Sequence, residues 1–244
     1  MFKIYLLLLL TGHILGDFYT QTSEISRNKE KSIKWVLLHS VIYFFTFIII
    51  TVPVISLEIL LLDIVVAFLH ASIDVIKYWY IKKKGSKESI FFIDQGLHIL
   101  CLCIVAYVWT IEGVSIRMLQ DAADIFRIIG IPKVLFCKWL LGLLFIHKPA
   151  NILIQKIISS YKPEEKKLEK QRDRNIGRII GTVERGIMFM LMYVNQYSAI
   201  GLVLTAKSIA RYDKIAHDEK FAEYYLLGTL ISAGIVIVCA TLLF

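Results

Sequence analysis

The sequence predicts an all-α protein, a polytopic transmembrane helix bundle of about six to eight membrane helices, and two observations carry that reading. Hydrophobic residues make up 57% of the 244 residues and the mean hydropathy is +0.65, far above what a soluble domain needs for its core. Several apolar runs also approach the ~20 residues that cross a hydrocarbon layer as a helix, and none alternates as a membrane strand does.

The first helix is expected from residue 4 to about residue 20. Its start, Met1-Phe2-Lys3 before an apolar run, resembles a secretory leader. Thr11-Gly12-His13-Ile14-Leu15-Gly16-Asp17 stands where a small-residue cleavage site would be, so the helix is read as retained. Further helices are expected at 34–50, 57–80 and 90–110. Thr51-Val52-Pro53 ends the second, and Lys82-Lys83-Lys84-Gly85-Ser86 ends the third. The stretch 134–146 carries Lys138, ends at His147-Lys148-Pro149, and either crosses or dips. Residues 151–178 are polar, with Lys162, Lys166, Lys167, Lys170, Arg172 and Arg174 against Glu164, Glu165 and Glu169, and read as a solvated loop or surface helix. Residues 179–194 and 198–206, separated by Asn195-Gln196, are a hairpin candidate, and a last helix is expected at 221–244. The chain is thus read as a four-helix unit (1–112), an amphipathic or short membrane segment with a basic loop (113–178) and a C-terminal helical part (179–244).

Orientation follows from the basic residues, because short loops rich in Lys and Arg stay in the cytoplasm. Arg27, Lys29, Lys31 and Lys34 follow the first helix, and Lys82, Lys83, Lys84 and Lys87 follow the third, whereas 53–58 and 111–130 lack such an excess. The expectation is a multi-pass cell-membrane protein with its N-terminus outside. The net charge of +8 is then a topological signal that also attracts anionic lipid, and no nucleic acid is implied.

Within these apolar segments lie groups that are costly in a bilayer and mark function by default. His13 precedes Asp17, His70 precedes Asp74, and Asp94 precedes His98, each by four residues and so on one helix face. Counted along their helices, these six and His39 fall at one depth near the cytoplasmic ends. Imidazoles and carboxylates in that mixture suit a divalent transition metal, Zn first and Mn or Fe as alternatives. The predicted ligands are His13, Asp17, His70, Asp74, Asp94 and His98, and His39 is a further ligand or a proton shuttle. Gln21, Tyr43, Lys77 and Gln95 are spaced to receive the other N–H of a ligating ring or to hold a carboxylate. Cys101, Cys103, Cys137 and Cys239 sit in apolar runs and offer neither a disulfide nor a sulfur site. In the C-terminal part, Arg178, Arg185, Lys207 and Arg211 either hold an anionic head group or pair with Glu184 and Glu223 at helix ends.

His13-x-x-x-Asp17-Phe18-x-x-Gln21, Leu37-Leu38-His39, His70-x-x-x-Asp74-x-x-Lys77 and Asp94-Gln95-x-x-His98 resemble a bacterial integral-membrane family of unknown function. Gly177-Arg178-x-x-Gly181-x-x-Glu184-Arg185, Ala206-Lys207-Ser208-Ile209-Ala210-Arg211 and Phe221-Ala222-Glu223-Tyr224 extend the resemblance over nearly the whole chain. The resemblance implies a bacterial cytoplasmic membrane and a cytoplasmic SatD-like protein as partner. The polar layer is also similar in kind to that of the alkaline ceramidase superfamily, which implies zinc held by intramembrane histidines and aspartate. That superfamily uses a serine as well, for which Ser40 and Ser72 are the candidates.

Three function classes follow. The first is a metal-dependent membrane hydrolase acting on a lipid or lipid-linked substrate at the cytoplasmic leaflet, with Asp94 or His39 relaying the proton and Lys207 and Arg211 holding the head group. The second is a proton- or ion-coupled transporter using the same layer, against which stands the lack of deep polar residues near 53–58. The third is a non-enzymatic partner subunit whose His-Asp pairs only join helices.

Overall fold

The computed structural model describes residues 1–85, 88–159 and 169–244, with side chains in the last stretch from residue 176 onward. Lys87, Lys162, Glu164, Glu165, Lys166 and Lys167 therefore lie outside the described residues, as do the side chains of Glu169, Lys170, Arg172 and Arg174. Among the described residues there is no strand, and six helices are long and apolar enough to cross a membrane. The chain divides into two compact units, Met1–Leu141 and Gly142–Phe244.

In the first unit α1 (Phe2–Ile14) runs without interruption into a π-helical turn, Leu15–Tyr19, closed by the Thr20 N–H on the Leu15 carbonyl at 2.9 Å. That i to i+5 bond adds one residue to the turn, and such widened turns recur at functional sites. The short α2 (Ser23–Asn28) starts at Thr22, whose Oγ1 accepts from the Ile25 N–H at 3.2 Å. The second span, α3 (Ile33–Thr51), gives way to a 3₁₀ turn at Val52–Val54, where Pro53 has no N–H to continue the helix. Ser56 caps α4 (Leu57–Lys84), which stops at Gly85 with φ 79°, a conformation favouring glycine. At ~1.5 Å per residue α4 is about 42 Å long, more than the ~30 Å hydrocarbon layer. The fourth span is α5 (Glu88–Ile111).

α3 packs on α4 and α1 on α5, around Tyr5, Leu9, Phe47, Leu62, Val66 and Ala106. Two glycines of the first span set how closely it approaches α3. A Cβ on Gly12 would lie 2.6 Å from the Phe47 ring, and one on Gly16 would lie 2.6 Å from the Tyr43 ring. The amphipathic α6 (Gln120–Ile129) follows, and α7 (Lys133–Ile158) carries the chain from the first unit into the second.

The stretch 134–146 lies within α7, which runs 26 residues, continues through Lys148-Pro149, and is long and apolar enough to be a candidate span. The polar reading of 151–178 began too early, because Ile152, Leu153 and Ile154 resume the apolar run. Pro149 cannot donate to the Phe145 carbonyl four residues back, and the next two carbonyls receive side chains: Arg185 Nε donates to Ile146 at 2.7 Å and Asn151 Nδ2 to His147 at 2.7 Å. The second unit continues with α8 (Glu169–Tyr193), a turn through Asn195 at φ 58°, α9 (Tyr197–Ile209), α10 (Tyr212–His217) and the last span, α11 (Glu219–Leu243). α8 packs against both α9 and α11.

Candidate functional site

Four helices and one loop of the first unit deliver side chains to a single buried layer. Asp17 comes from the π turn, His39 and Tyr43 from α3, His70 and Asp74 from α4, Asp94 and His98 from α5, and Lys29 from just beyond α2. None of these residues, nor His13, is more than 8% exposed. The layer is therefore isolated from bulk water, where unpaired polar atoms are costly.

Its centre is a cluster of four ligand-type atoms. His39 Nε2 lies 3.1 Å from Asp17 Oδ1, 3.1 Å from His70 Nε2 and 3.6 Å from Asp74 Oδ2. His70 Nε2 in turn lies 3.9 Å from Asp17 Oδ1 and 3.6 Å from Asp74 Oδ2. Four ligands held at ~2.1 Å in a tetrahedron are about 3.4 Å from one another, which these five separations bracket. Asp17, His39 and His70 form one group of metal-ligand type, and His70, Asp74 and His98 a second that shares His70. The donor chemistry fits a divalent transition metal, with His70 common to both groups and Asp17, His39, Asp74 and His98 the residues that would complete its shell. Tyr43 fixes one of these rings, stacking on His70 at 3.7 Å between centroids and 8° between planes.

His13 is placed differently. Its Nδ1 faces Tyr43 Oη at 3.2 Å and its Nε2 faces Gln95 Oε1 at 3.3 Å, so both ring nitrogens are engaged away from the four-atom cluster. With Nε2 protonated the network is consistent, since Tyr43 then donates to Nδ1. Gln95 spans the layer: its Nε2 donates to Asp17 Oδ2 at 2.7 Å and to Asp94 Oδ2 at 3.3 Å. Lys77 donates to the same Asp94 oxygen at 2.7 Å, leaving Oδ1 without a hydrogen-bond partner. Both nitrogens of His98 lack one too, with Nδ1 3.9 Å from Asp94 Oδ1. Gln21 also keeps an unpartnered buried Oε1. Ser40 and Ser72 are turned to their own helices, donating to Val36 and Phe68 carbonyls at 2.9 and 2.8 Å.

Two features escape the sequence reading. Lys29, there only one member of a basic cluster, is buried with Nζ 3.1 Å from Asp74 Oδ2, 3.4 Å from Asp74 Oδ1 and 3.7 Å from Asp17 Oδ1. Burial opposes its charge, but the carboxylates of Asp17, Asp74 and Asp94 outweigh that and hold its pKa above the ordinary lysine value. No periodicity announces it, because it lies off the spanning helices. Asp63 does carry a signal, sitting seven residues before His70 on the same face of α4. It is buried, and the Thr51 hydroxyl donates to its Oδ2 at 2.6 Å. Deep polar groups are thus present toward residues 53–58 after all, correcting the expectation that this end has none.

The basic residues of the C-terminal part belong to the second unit. Arg185 is 2% exposed and turned inward, bonding the Ile146 carbonyl, Asn151 Oδ1 at 2.8 Å and Thr182 Oγ1 at 3.2 Å. Gly181 leaves room for it, since a Cβ there would be 3.1 Å from Nη1. Lys207 donates to Glu184 at 2.6 Å, and Arg178 and Arg211 are exposed.

No curated protein and no solved structure matches the chain. The model of one family, described as "Protein of unknown function (DUF3307)", matches residues 5–126, half of the chain and the whole of the polar layer. A match that takes in all four helices bearing the layer makes the chain a member of the DUF3307 family of unknown function.

Proposed function

We propose that the protein is a metal-dependent membrane hydrolase acting on a lipid or lipid-linked substrate, with its centre at the cytoplasmic leaflet of a bacterial membrane and its N-terminus outside. The observation that carries the reading is the convergence of Asp17, His39, His70 and Asp74 at separations suited to one tetrahedral ion. A bound Zn, or Mn or Fe, supplies a water acidic enough near neutral pH to attack an ester, amide or phosphoester. Asp17, His39, His70 and Asp74 hold the ion, and Tyr43 and Gln95 keep His70 and Asp17 oriented. Asp94 Oδ1 and the His98 ring, among the buried polar groups without a hydrogen-bond partner, take and pass the proton. The leaflet follows from Lys31, Lys34, Lys82, Lys83 and Lys84, which mark one membrane face.

A second reading, a proton- or ion-coupled transporter, is favoured by Asp63 and Thr51, a buried polar pair about 10 Å along α4 from His70. One measurement separates the two. Protein purified without a histidine tag, with metal content read by mass spectrometry, is expected to carry about one transition metal per chain by the four-ligand geometry. His70→Ala should lose it, and His13→Ala should keep it. Wild-type protein without metal would move the reading to the transporter, and metal retained by His70→Ala would sink the ligand set.

A further inference from the structure

The charges buried in this layer do not balance, and the imbalance bears on the substrate. Among the described residues the layer holds three buried carboxylates, Asp17, Asp74 and Asp94, against two ammonium groups, the buried Lys29 and the half-buried Lys77. With neutral histidines it carries one net negative charge in apolar surroundings, which is strongly unfavourable without a counter-ion. A divalent cation reverses the sign and leaves one net positive charge. While the bound water keeps its proton, a singly charged phosphodiester cancels that excess and a neutral ester or amide does not.

The two lysines are not equivalent in this respect. Lys77 is committed to Asp94 at 2.7 Å, and Asp94 is outside the four-atom cluster. Both carboxylates beside Lys29 belong to the cluster, Asp74 at 3.1 Å and Asp17 at 3.7 Å. A cation bound at Asp17 Oδ1 and Asp74 Oδ2 draws on the lone pairs that face Lys29 there and repels its ammonium, which keeps only Asp74 Oδ1, at 3.4 Å, and calls for a further anion. Its backbone is anchored, since the Lys29 N–H bonds the Ile25 carbonyl at 2.9 Å and Ile25 is buried, while its head is held only by the two carboxylates and ends a flexible four-carbon stem.

We propose that Lys29 is the anion-holding group of this centre, released from Asp17 and Asp74 by the metal, and that the substrate presents a phosphoester oxyanion to it. The proposal rests on the metal-centre reading above. Its chemistry is common to a phospholipid head group and a free phosphoester.

The test uses full-length protein in neutral detergent, zinc-loaded or zinc-free, titrated with inorganic phosphate and separately with short-chain phosphatidylglycerol. Zinc-loaded wild type is expected to bind phosphate at least about tenfold more tightly than zinc-free protein, the scale of one charge-assisted contact. Lys29→Met should lose about that factor with zinc content unchanged, and Lys29→Arg should stay within about threefold of wild type. Tighter binding of phosphatidylglycerol than of phosphate assigns the oxyanion to a lipid, and equal binding assigns it to a free phosphoester; either supports the proposal. Zinc-loaded Lys29→Met that binds phosphate like wild type overturns it and leaves Lys29 a structural counter-ion. If that variant does not fold, equal phosphate binding by zinc-loaded and zinc-free wild type overturns it instead. Wild type that binds no zinc overturns the metal-centre reading itself, a result distinct from zinc bound without phosphate.

Discussion

Gly16 stands where the first span meets the face of Tyr43, and Tyr43 is the ring stacked on His70. A methyl group there would need the space of the tyrosine ring, and the displacement would reach His70 through the stack. Gly16→Ala should therefore destabilise the protein by about 1–3 kcal/mol, the range for overpacking a dense interior, and weaken metal binding as well. Gly96 is the matched control: it lies within α5, and a Cβ added there meets nothing within 4 Å. Gly96→Ala should leave metal binding unchanged and raise stability by about 0.5–1 kcal/mol, because alanine restricts the unfolded chain and favours helix. Thermal unfolding in detergent and metal titration of the two variants check both statements. At the same residue scale His13 and His70, alike in sequence context, differ in surroundings: one has both ring nitrogens satisfied by Tyr43 and Gln95, and the other turns Nε2 toward two carboxylates.

At the scale of an element, α7 is a membrane-length helix whose proline-containing turn receives a buried arginine from another helix. Pro149 interrupts its hydrogen bonding, and Arg185 of α8 donates to the Ile146 carbonyl in the turn before it. The arginine also bonds Asn151 and Thr182 within the same buried patch. Arg185→Met would remove these bonds from a partly buried site, at about 0.5–1.5 kcal/mol for each one lost. The expected result is a thermal midpoint clearly below wild type, whereas the exposed Arg211→Met should stay within about 0.5 kcal/mol. Metal content should not change in either, since both residues lie in the second unit. An Arg185→Met variant as stable as wild type would remove the arginine from the account of α7.

At the scale of the whole molecule, the proposed orientation, with the basic end of α4 and the start of α5 in the cytoplasm, would decide which side the polar layer serves. With native cysteines replaced, Lys83→Cys at the end of α4 should react with an impermeant thiol reagent only when the cytoplasmic face is open, and Glu112→Cys beyond α5 only from outside. The opposite labelling would put the layer at the outer leaflet and exclude a substrate taken from the cytoplasmic one.

The membrane character and its helices were legible in the sequence because hydropathy is a local property. Pro53, Gly85 and Asn195 mark ends of elements where backbone chemistry requires them. That His13, Asp17, His39, His70, Asp74, Asp94 and His98 share one depth was legible too, because helix rise converts residue number into height. Which atoms meet was not, since that depends on how each helix is rotated about its axis. Rotation is set by packing: the glycines that let α1 approach α3, the added residue of the π turn, and the loop that returns Lys29 to the layer. The same holds for Arg185, whose charge suggests an exposed anion site but whose neighbours across three helices turn it inward. Local pattern determined the spans and the height of the layer; only the tertiary structure decided the convergence, because it requires atoms from distant parts of the chain to occupy one small volume.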